Sequence, residues 1–128
     1  MSKKILLLII ICFLFTGCSS STTKKDIVVK EISVSEVKEI VDNYSDYSNL
    51  YIVDVRTEDE YNTGHIAGSI NIPVDNLGQI DVSKDTKIIV YCRSGGRSLA
   101  AVDILNEMGY TNVYNMGGLD NWTFDLVN

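Results

Sequence analysis

A single cysteine is followed closely by two arginines in the segment Cys92-Arg93-Ser94-Gly95-Gly96-Arg97. The apolar run 87–91 before it predicts a buried strand, and residues 98–108 after it predict a helix. At such a junction the backbone N–H groups of residues 93–98 lack helical partners, and the two glycines allow them to curl around one point. These amides, the helix dipole and the two arginines should favour a thiolate, so we expect a lowered pKa for Cys92. Such a thiolate is suited to covalent catalysis.

The alternative interpretation of Cys92 is a small buried hydrophobic residue, because most free cysteines have that role. The distribution of arginine favours the catalytic interpretation. The chain has three arginines, and two of them, Arg93 and Arg97, lie within the five residues that follow this cysteine. We therefore take Cys92 as the candidate nucleophile, and Arg93, Ser94, Gly95, Gly96 and Arg97 as the candidate substrate-binding loop.

The segment from Tyr91 to Ser98 resembles the active-site loop of the rhodanese sulfurtransferases. Further segments resemble other motifs of that family and follow in the order of a single-domain rhodanese: Asp54-Val55-Arg56, Glu60-Tyr61, Gly64-His65-Ile66, Asn71-Ile72-Pro73 and Gly117-Gly118-Leu119-Asp120-Asn121-Trp122. Ala67 departs from the pattern, since many members have proline there. The resemblance covers residues 32–126, and it implies a cysteine that carries sulfur as a persulfide and needs no cofactor.

Strand and helix patterns alternate along the chain, which predicts a small α/β domain of the rhodanese type. We expect a central, mostly parallel β-sheet with helices on both faces. Capping-box patterns at 33–36 and 57–60 predict two helix starts, and residues 50–55 predict a central strand. Residues 74–86 are expected to be a polar connection.

The last part of the chain is predicted to complete the sheet and cover it. Residues 111–116 are typical of a final strand, and Gly117-Gly118 of a tight turn. Residues 119–126 are expected to form a closing helix that packs Trp122 on the core.

Asp54 and Arg56 lie at the carboxyl end of the predicted strand 50–55, which is where ligands bind in open α/β sheets. One interpretation is that Asp54 orders the cysteine loop. The other is that Asp54 and Arg56 form a local ion pair or turn cap without a role in turnover. His65 is the only histidine, which excludes a multi-histidine metal site, and we expect it to be structural. No metal or cofactor site is predicted.

The amino-terminal segment is predicted to direct export. Lys3 and Lys4 precede the apolar run 5–15, which is typical of a secretory signal spanning residues 1–17. Thr16-Gly17-Cys18 resembles the lipobox of bacterial lipoproteins, in which the cysteine is lipidated. We therefore expect a signal peptide (1–17), lipidated Cys18 with a polar tether (18–30) and the catalytic domain (31–128). The protein would be anchored to the outer face of the cytoplasmic membrane, or to the periplasmic side of an envelope membrane.

Cysteine count and charge restrict the partners further. Cys12 would leave with the signal and Cys18 would carry lipid, so Cys92 would be the one free thiol and no internal disulfide could form. The formal net charge is −6, and loss of the signal lysines would make the domain more acidic. An acidic surface repels nucleic acid and anionic headgroups, so neither is expected as a partner, and the lipid anchor would be the only membrane contact.

Three functions remain open at this point. In the first, a sulfurtransferase moves sulfane sulfur from a small anionic donor, thiosulfate or a persulfide, to a thiol or cyanide acceptor through a Cys92 persulfide. In the second, a membrane-anchored sulfur carrier or redox-sensing module exchanges sulfur with a partner protein. The third, a cysteine phosphatase, is less favoured, because four residues separate Cys92 from Arg97 whereas phosphatase relatives of this fold have five.

Overall fold

The computed structural model describes residues 28–45 and 47–128, which form a five-stranded sheet with the strand order β1-β5-β4-β2-β3. All of the paired strands are parallel. The strands are β1 (Lys30–Glu31), β2 (Leu50–Asp54), β3 (Ile70–Asn71), β4 (Lys87–Cys92) and β5 (Val113–Gly118). The helices are α1 (Val34–Asn43), α2 (Glu58–Asn62) and α3 (Gly96–Glu107), with 3₁₀ helices at Val74–Gln79 and Leu119–Asn121. The predicted signal 1–17, Cys18 and the tether up to residue 27 lie outside the described residues.

Alternation along the central strands builds a hydrophobic core on each face of the sheet, as the predicted α/β fold requires. On one face, Ile88, Val90 and Cys92 of β4 pack in a cluster with the α3 residues Val102 and Leu105. On the other face, a second cluster contains residues of β2, β4, α1 and the last turn: Ile52, Ile89, Tyr91, Val37 and Trp122. Helices therefore cover both faces, and Cys92 is the last residue of the central strand.

Local sequence signals account for the two early helices. Ser33 caps α1, its hydroxyl accepts from the Glu36 amide at 3.2 Å, and the Glu36 carboxylate accepts from the Ser33 amide at 2.9 Å, which completes the predicted capping box. Thr57 caps α2 with its hydroxyl accepting from the Glu60 amide, but the predicted capping box at 57–60 is only half formed, because the Glu60 carboxylate contacts Arg97 instead of the Thr57 amide. Because α2 follows β2 directly, this cap places the helix at the carboxyl edge of the sheet.

The structure corrects the expected connection at residues 74–86. The 3₁₀ helix Val74–Gln79 occupies its first half, and Leu77 and Ile80 pack in the same core cluster as α3. Two apolar side chains among polar neighbours do not give a helical hydrophobic pattern, so the sequence did not indicate this element. The two side chains are buried because the segment packs against one face of the sheet. At the start of the domain, β1 includes Lys30, which the sequence had assigned to the tether.

The predicted closing helix at 119–126 is wrong, and so is the tight turn at Gly117-Gly118. Strand β5 continues through Gly118, and only Leu119–Asn121 forms a 3₁₀ turn. The chain after this turn has no regular secondary structure, and Val127 exchanges two backbone hydrogen bonds of 2.9 Å with His65. These bonds pair the backbone N–H and C=O groups of Val127 without a helix, so this part of the segment does not need helical hydrogen bonds. No helix among the described residues is long and apolar enough to cross a membrane.

Candidate active site

The Cys92 sulfur lies at the floor of a turn between β4 and α3, where several donors point at it. The Gly95 amide donates to Sγ at 3.0 Å and the Ser98 amide at 3.4 Å, while the Ser98 hydroxyl oxygen lies 3.6 Å away. Gly95 has a φ of +103°, a conformation that favours glycine and turns the chain sharply enough for these groups to converge. The sulfur sits in a cradle of donors, as the strand-to-helix junction predicts.

The cradle lowers the pKa of Cys92 below its ordinary value, as expected. Burial acts in the opposite direction, because removal from water disfavours the thiolate. Hydrogen bonds from the Ser98 hydroxyl and from the amides of Ser98, Gly95 and Ser94 outweigh it. Arg93 and Arg97 were also expected to lower the pKa of Cys92, but the hydrogen bonds are the main causes that lower it.

The two loop arginines have different surroundings. Arg93 is exposed, and its side chain forms no ion pair with any other described residue. Arg97 pairs with Glu60 of α2, with Nη1 donating to Oε1 at 3.2 Å and Nη2 lying 3.0 Å from Oε2. Only Arg93 therefore presents a guanidinium without a carboxylate partner in the described part of the chain.

Strand β5 and the turn after it hold the outer side of the loop. Gly118 pairs with Cys92 in the sheet, and a Cβ at Gly118 would lie 2.3 Å from the Arg93 carbonyl oxygen. The Asp120 amide donates to that same oxygen at 3.0 Å. The loop backbone thus approaches β5 more closely than any residue other than glycine would allow.

Asp54 and Arg56 form a buried ion pair beside the site. The Asp54 carboxylate accepts from the Arg56 side chain at 2.6 and 3.0 Å and from the Arg56 amide at 2.9 Å, while Arg56 Nη2 also donates to the Gly64 carbonyl at 2.7 Å. Burial acts to lower the pKa of Arg56, but its hydrogen bond to Asp54 and the charge of that carboxylate raise it overall. Asp54 is paired in register with Tyr91, so it lies next to the cysteine, yet its hydrogen bonds run to Arg56 rather than to the loop.

His65 lies between α2 and the carboxyl terminus of the chain. Its ring stacks on Tyr61, with centroids 3.6 Å apart, and its Nδ1 lies 3.0 Å from the Tyr61 carbonyl oxygen. Among residues 28–45 and 47–128 there is no cluster of three or more His, Cys, Asp or Glu side chains that could hold a metal ion. The arrangement offers one nucleophile and a set of anion-binding donors.

Three features of this site were missed by the sequence analysis. The Ser98 hydroxyl faces Cys92, Glu60 pairs with Arg97, and Gly118 allows the loop to approach β5. Ser98 could have been found, because a hydroxyl in the first turn of the helix that follows the cysteine loop can point back at the cysteine at the loop's start. Glu60 carried no such signal, since 37 residues separate it from Arg97.

Comparison with known proteins agrees with this geometry. The sequence model of the rhodanese-like domain family matches residues 33–125, so the chain belongs to that family. It is 41% identical over 71 residues to the thiosulfate sulfurtransferase PspE of Escherichia coli K12, covering 52% of this chain and 68% of that protein. The crystal structure of a rhodanese-related protein from Thermoplasma volcanium superposes with a TM-score of 0.63 at 31% identity, covering 77% of this chain and 97% of the other.

A longer relative shares only this domain. The adenylyltransferase and sulfurtransferase uba4 of Ogataea parapolymorpha is 42% identical over 77 residues, which is 57% of this chain but 20% of that protein. The family resemblance stated from the sequence motifs is therefore confirmed over the catalytic domain. Fold and cysteine loop together define a transferase of the rhodanese type.

Proposed function

We propose that this protein transfers sulfane sulfur from thiosulfate or a persulfide donor to a thiol or cyanide acceptor through a persulfide on Cys92. The observation that carries the proposal is the convergence of the Gly95 and Ser98 donors on one sulfur whose pKa is lowered. The name of the E. coli relative supports thiosulfate as a donor. The exposed guanidinium of Arg93 supports an anionic donor, because it can approach a sulfonate group beside the loop.

The first half-reaction would load the cysteine. The Cys92 thiolate attacks the outer sulfur of thiosulfate and forms a new S–S bond. The bond between the outer sulfur and the sulfonate sulfur breaks, and its electron pair leaves on sulfite. In the second half-reaction, cyanide or a thiolate attacks the outer sulfur of the persulfide, and Cys92 leaves as the thiolate. The Gly95 and Ser98 donors stabilise the negative sulfur at the start and at the end of the cycle.

Intact-mass measurement tests the loading step. The full-length chain would be incubated with thiosulfate, and we expect the mass of one added sulfur atom, removed again by cyanide with release of thiocyanate. Cys92→Ser should show neither. Release of phosphate from an aryl phosphate by the wild type, without sulfur loading, would overturn the proposal in favour of a phosphatase. The sulfur-carrier alternative shares the loading step, so loading with turnover only in the presence of a partner protein would favour the carrier.

We also propose that the protein is exported and held at a membrane by lipid on Cys18. The support is the charged and apolar segment 1–15 followed by Thr16-Gly17-Cys18. Two acyl chains would be needed, since a single chain gives only marginal membrane binding. Cys18→Ser should move the protein from the membrane fraction or block its maturation, and an unchanged fractionation and mobility of that variant would contradict the anchor.

A further inference from the structure

Glu60 makes the one ion pair that the described structure gives to the cysteine loop. Its Oε1 accepts from Arg97 Nη1 at 3.2 Å, and its Oε2 lies 3.0 Å from Arg97 Nη2. Oε2 is closed off from solvent and takes no hydrogen bond of good geometry within the described residues. The side chains of Glu60 and Arg97 are each about a third exposed, so water screens the pair in part, and Arg97 is the ion-pair partner of Glu60 in the described structure.

Helix α2 holds Glu60 in place from several sides. Thr57 caps the helix at the Glu60 amide, and the Thr63 hydroxyl donates to the Glu60 carbonyl at 2.6 Å. The next residue, Tyr61, donates its hydroxyl to the Ser69 carbonyl at 2.7 Å and stacks on His65. The carboxylate thus stands on a short but well-fixed element, so its contact with Arg97 is built into the fold.

This pair changes the charge that a substrate meets. Arg56 is occupied by Asp54, and Arg97 is paired with Glu60, which leaves Arg93 as the guanidinium without a carboxylate partner in the described residues. We propose that Glu60 is a positioning residue that sets donor preference: by pairing with Arg97 it reduces the positive charge at the loop and favours singly charged sulfur donors over doubly charged ones. The proposal rests on the sulfurtransferase function proposed above and names the donor class of that site.

Two donors with the same chemistry test the idea. Thiosulfate carries two negative charges and releases sulfite, whereas an aromatic thiosulfonate carries one and releases a sulfinate. In both reactions the Cys92 thiolate forms a bond to the outer sulfur, and the electron pair of the broken bond leaves on the oxidised sulfur. Donor charge is therefore a main difference between the two reactions, and removing the Glu60 charge should affect the doubly charged donor more than the singly charged one.

The variant Glu60→Gln removes the carboxylate charge and keeps the size of the side chain. We expect the KM for thiosulfate to fall by about two- to fivefold, the range expected for a partly exposed charge, with kcat unchanged and a smaller fall for the thiosulfonate. Glu58→Gln is the matched control. Glu58 lies exposed on the same helix, so this variant removes the same charge at a position away from Arg97. Glu60→Asp keeps the charge but is too short for both contacts, and its KM should lie between wild type and Glu60→Gln.

A binding measurement separates this inference from the proposed function. Sulfate should protect Cys92 from alkylation by iodoacetamide, and protection should require about two- to fivefold less sulfate in Glu60→Gln than in wild type. If the wild type took up no sulfur from either donor, the proposed function would fail while sulfate protection would still decide the role of Glu60. Equal shifts in Glu60→Gln and Glu58→Gln, or an equal loss of kcat for both donors, would overturn the role of Glu60. Thermal unfolding of each variant checks the fold, and Glu60→Asp serves if Glu60→Gln is unstable.

Discussion

The Ser98 hydroxyl gives a direct test of how the thiolate is stabilised. Its oxygen lies 3.6 Å from Cys92 Sγ, and the same group donates to the carbonyls of Gly95 at 3.0 Å and Gly117 at 3.3 Å. The hydroxyl has a single hydrogen. It can therefore donate to the thiolate only by giving up a carbonyl partner, and it can accept from the protonated thiol while keeping that partner.

The variant Ser98→Ala removes this donor and leaves the Ser98 amide in place. A hydrogen bond to a charged group contributes about 1.5–3 kcal/mol, but this one is long and replaces a bond to a carbonyl, so we expect a loss of about 1 kcal/mol. That free energy corresponds to about a fivefold smaller fraction of thiolate at a pH below the pKa. Because the native hydrogen bonds lower the pKa of Cys92, losing one should move its titration to higher pH.

The assay is the rate of Cys92 alkylation by iodoacetamide as a function of pH, with wild type, Ser98→Ala and Ser94→Ala. Ser94 contributes its amide to the cradle, and its exposed hydroxyl makes no hydrogen bond with the described residues. Ser94→Ala therefore removes the same hydroxyl group as Ser98→Ala but at a position that does not contact the sulfur. We expect the Ser98→Ala curve to shift to higher pH and the Ser94→Ala curve to match wild type. Coinciding curves for all three proteins, or equal shifts in both variants, would refute the role assigned to the Ser98 hydroxyl.

Two further variants test the supports of the loop. Gly118→Ala places a Cβ against the Arg93 carbonyl, so it should lower the free energy of unfolding by about 1–3 kcal/mol and slow sulfur loading of Cys92. Urea denaturation measures the first effect and intact mass the second. Normal loading by a fully stable variant would contradict the close approach of the loop to β5. Asp54→Asn leaves the buried Arg56 without its counter-charge, so the free energy of unfolding measured by urea denaturation should fall by about 3–5 kcal/mol. A loss of activity at unchanged stability would instead indicate that Asp54 orders the loop.

Local signals were sufficient for much of this structure. The capping box at Ser33 and Glu36 is read from four consecutive residues, and it forms as predicted. The position of Cys92 at a strand-to-helix junction follows from the apolar run before it and the glycines after it. These features depend on backbone groups within one turn, so no knowledge of the remaining chain is needed to place them.

The parts that could not be predicted depend on distant pairing. The Glu60 and Arg97 contact joins α2 to the loop, and its strength is decided by how the sheet brings two remote segments together. The carboxyl-terminal segment 119–126 was predicted as a closing helix that packs Trp122 on the core. Its backbone instead finds partners at His65, a residue more than fifty positions earlier, and this pairing outweighs a weak local preference.

The parallel course of β1 also determines which way the active site points. Lys30 pairs with Tyr114, and Tyr114 pairs with Ile89, so Cys92, three residues beyond Ile89, lies about 10 Å further along the sheet than the residue through which the chain joins it. Residues 28 and 29 lead into β1 at the amino-terminal edge of the sheet, whereas the cysteine loop opens at the opposite edge. The described chain thus enters the sheet at one end and presents its nucleophile at the other, so donors and acceptors would approach the sulfur from the side opposite to the start of β1.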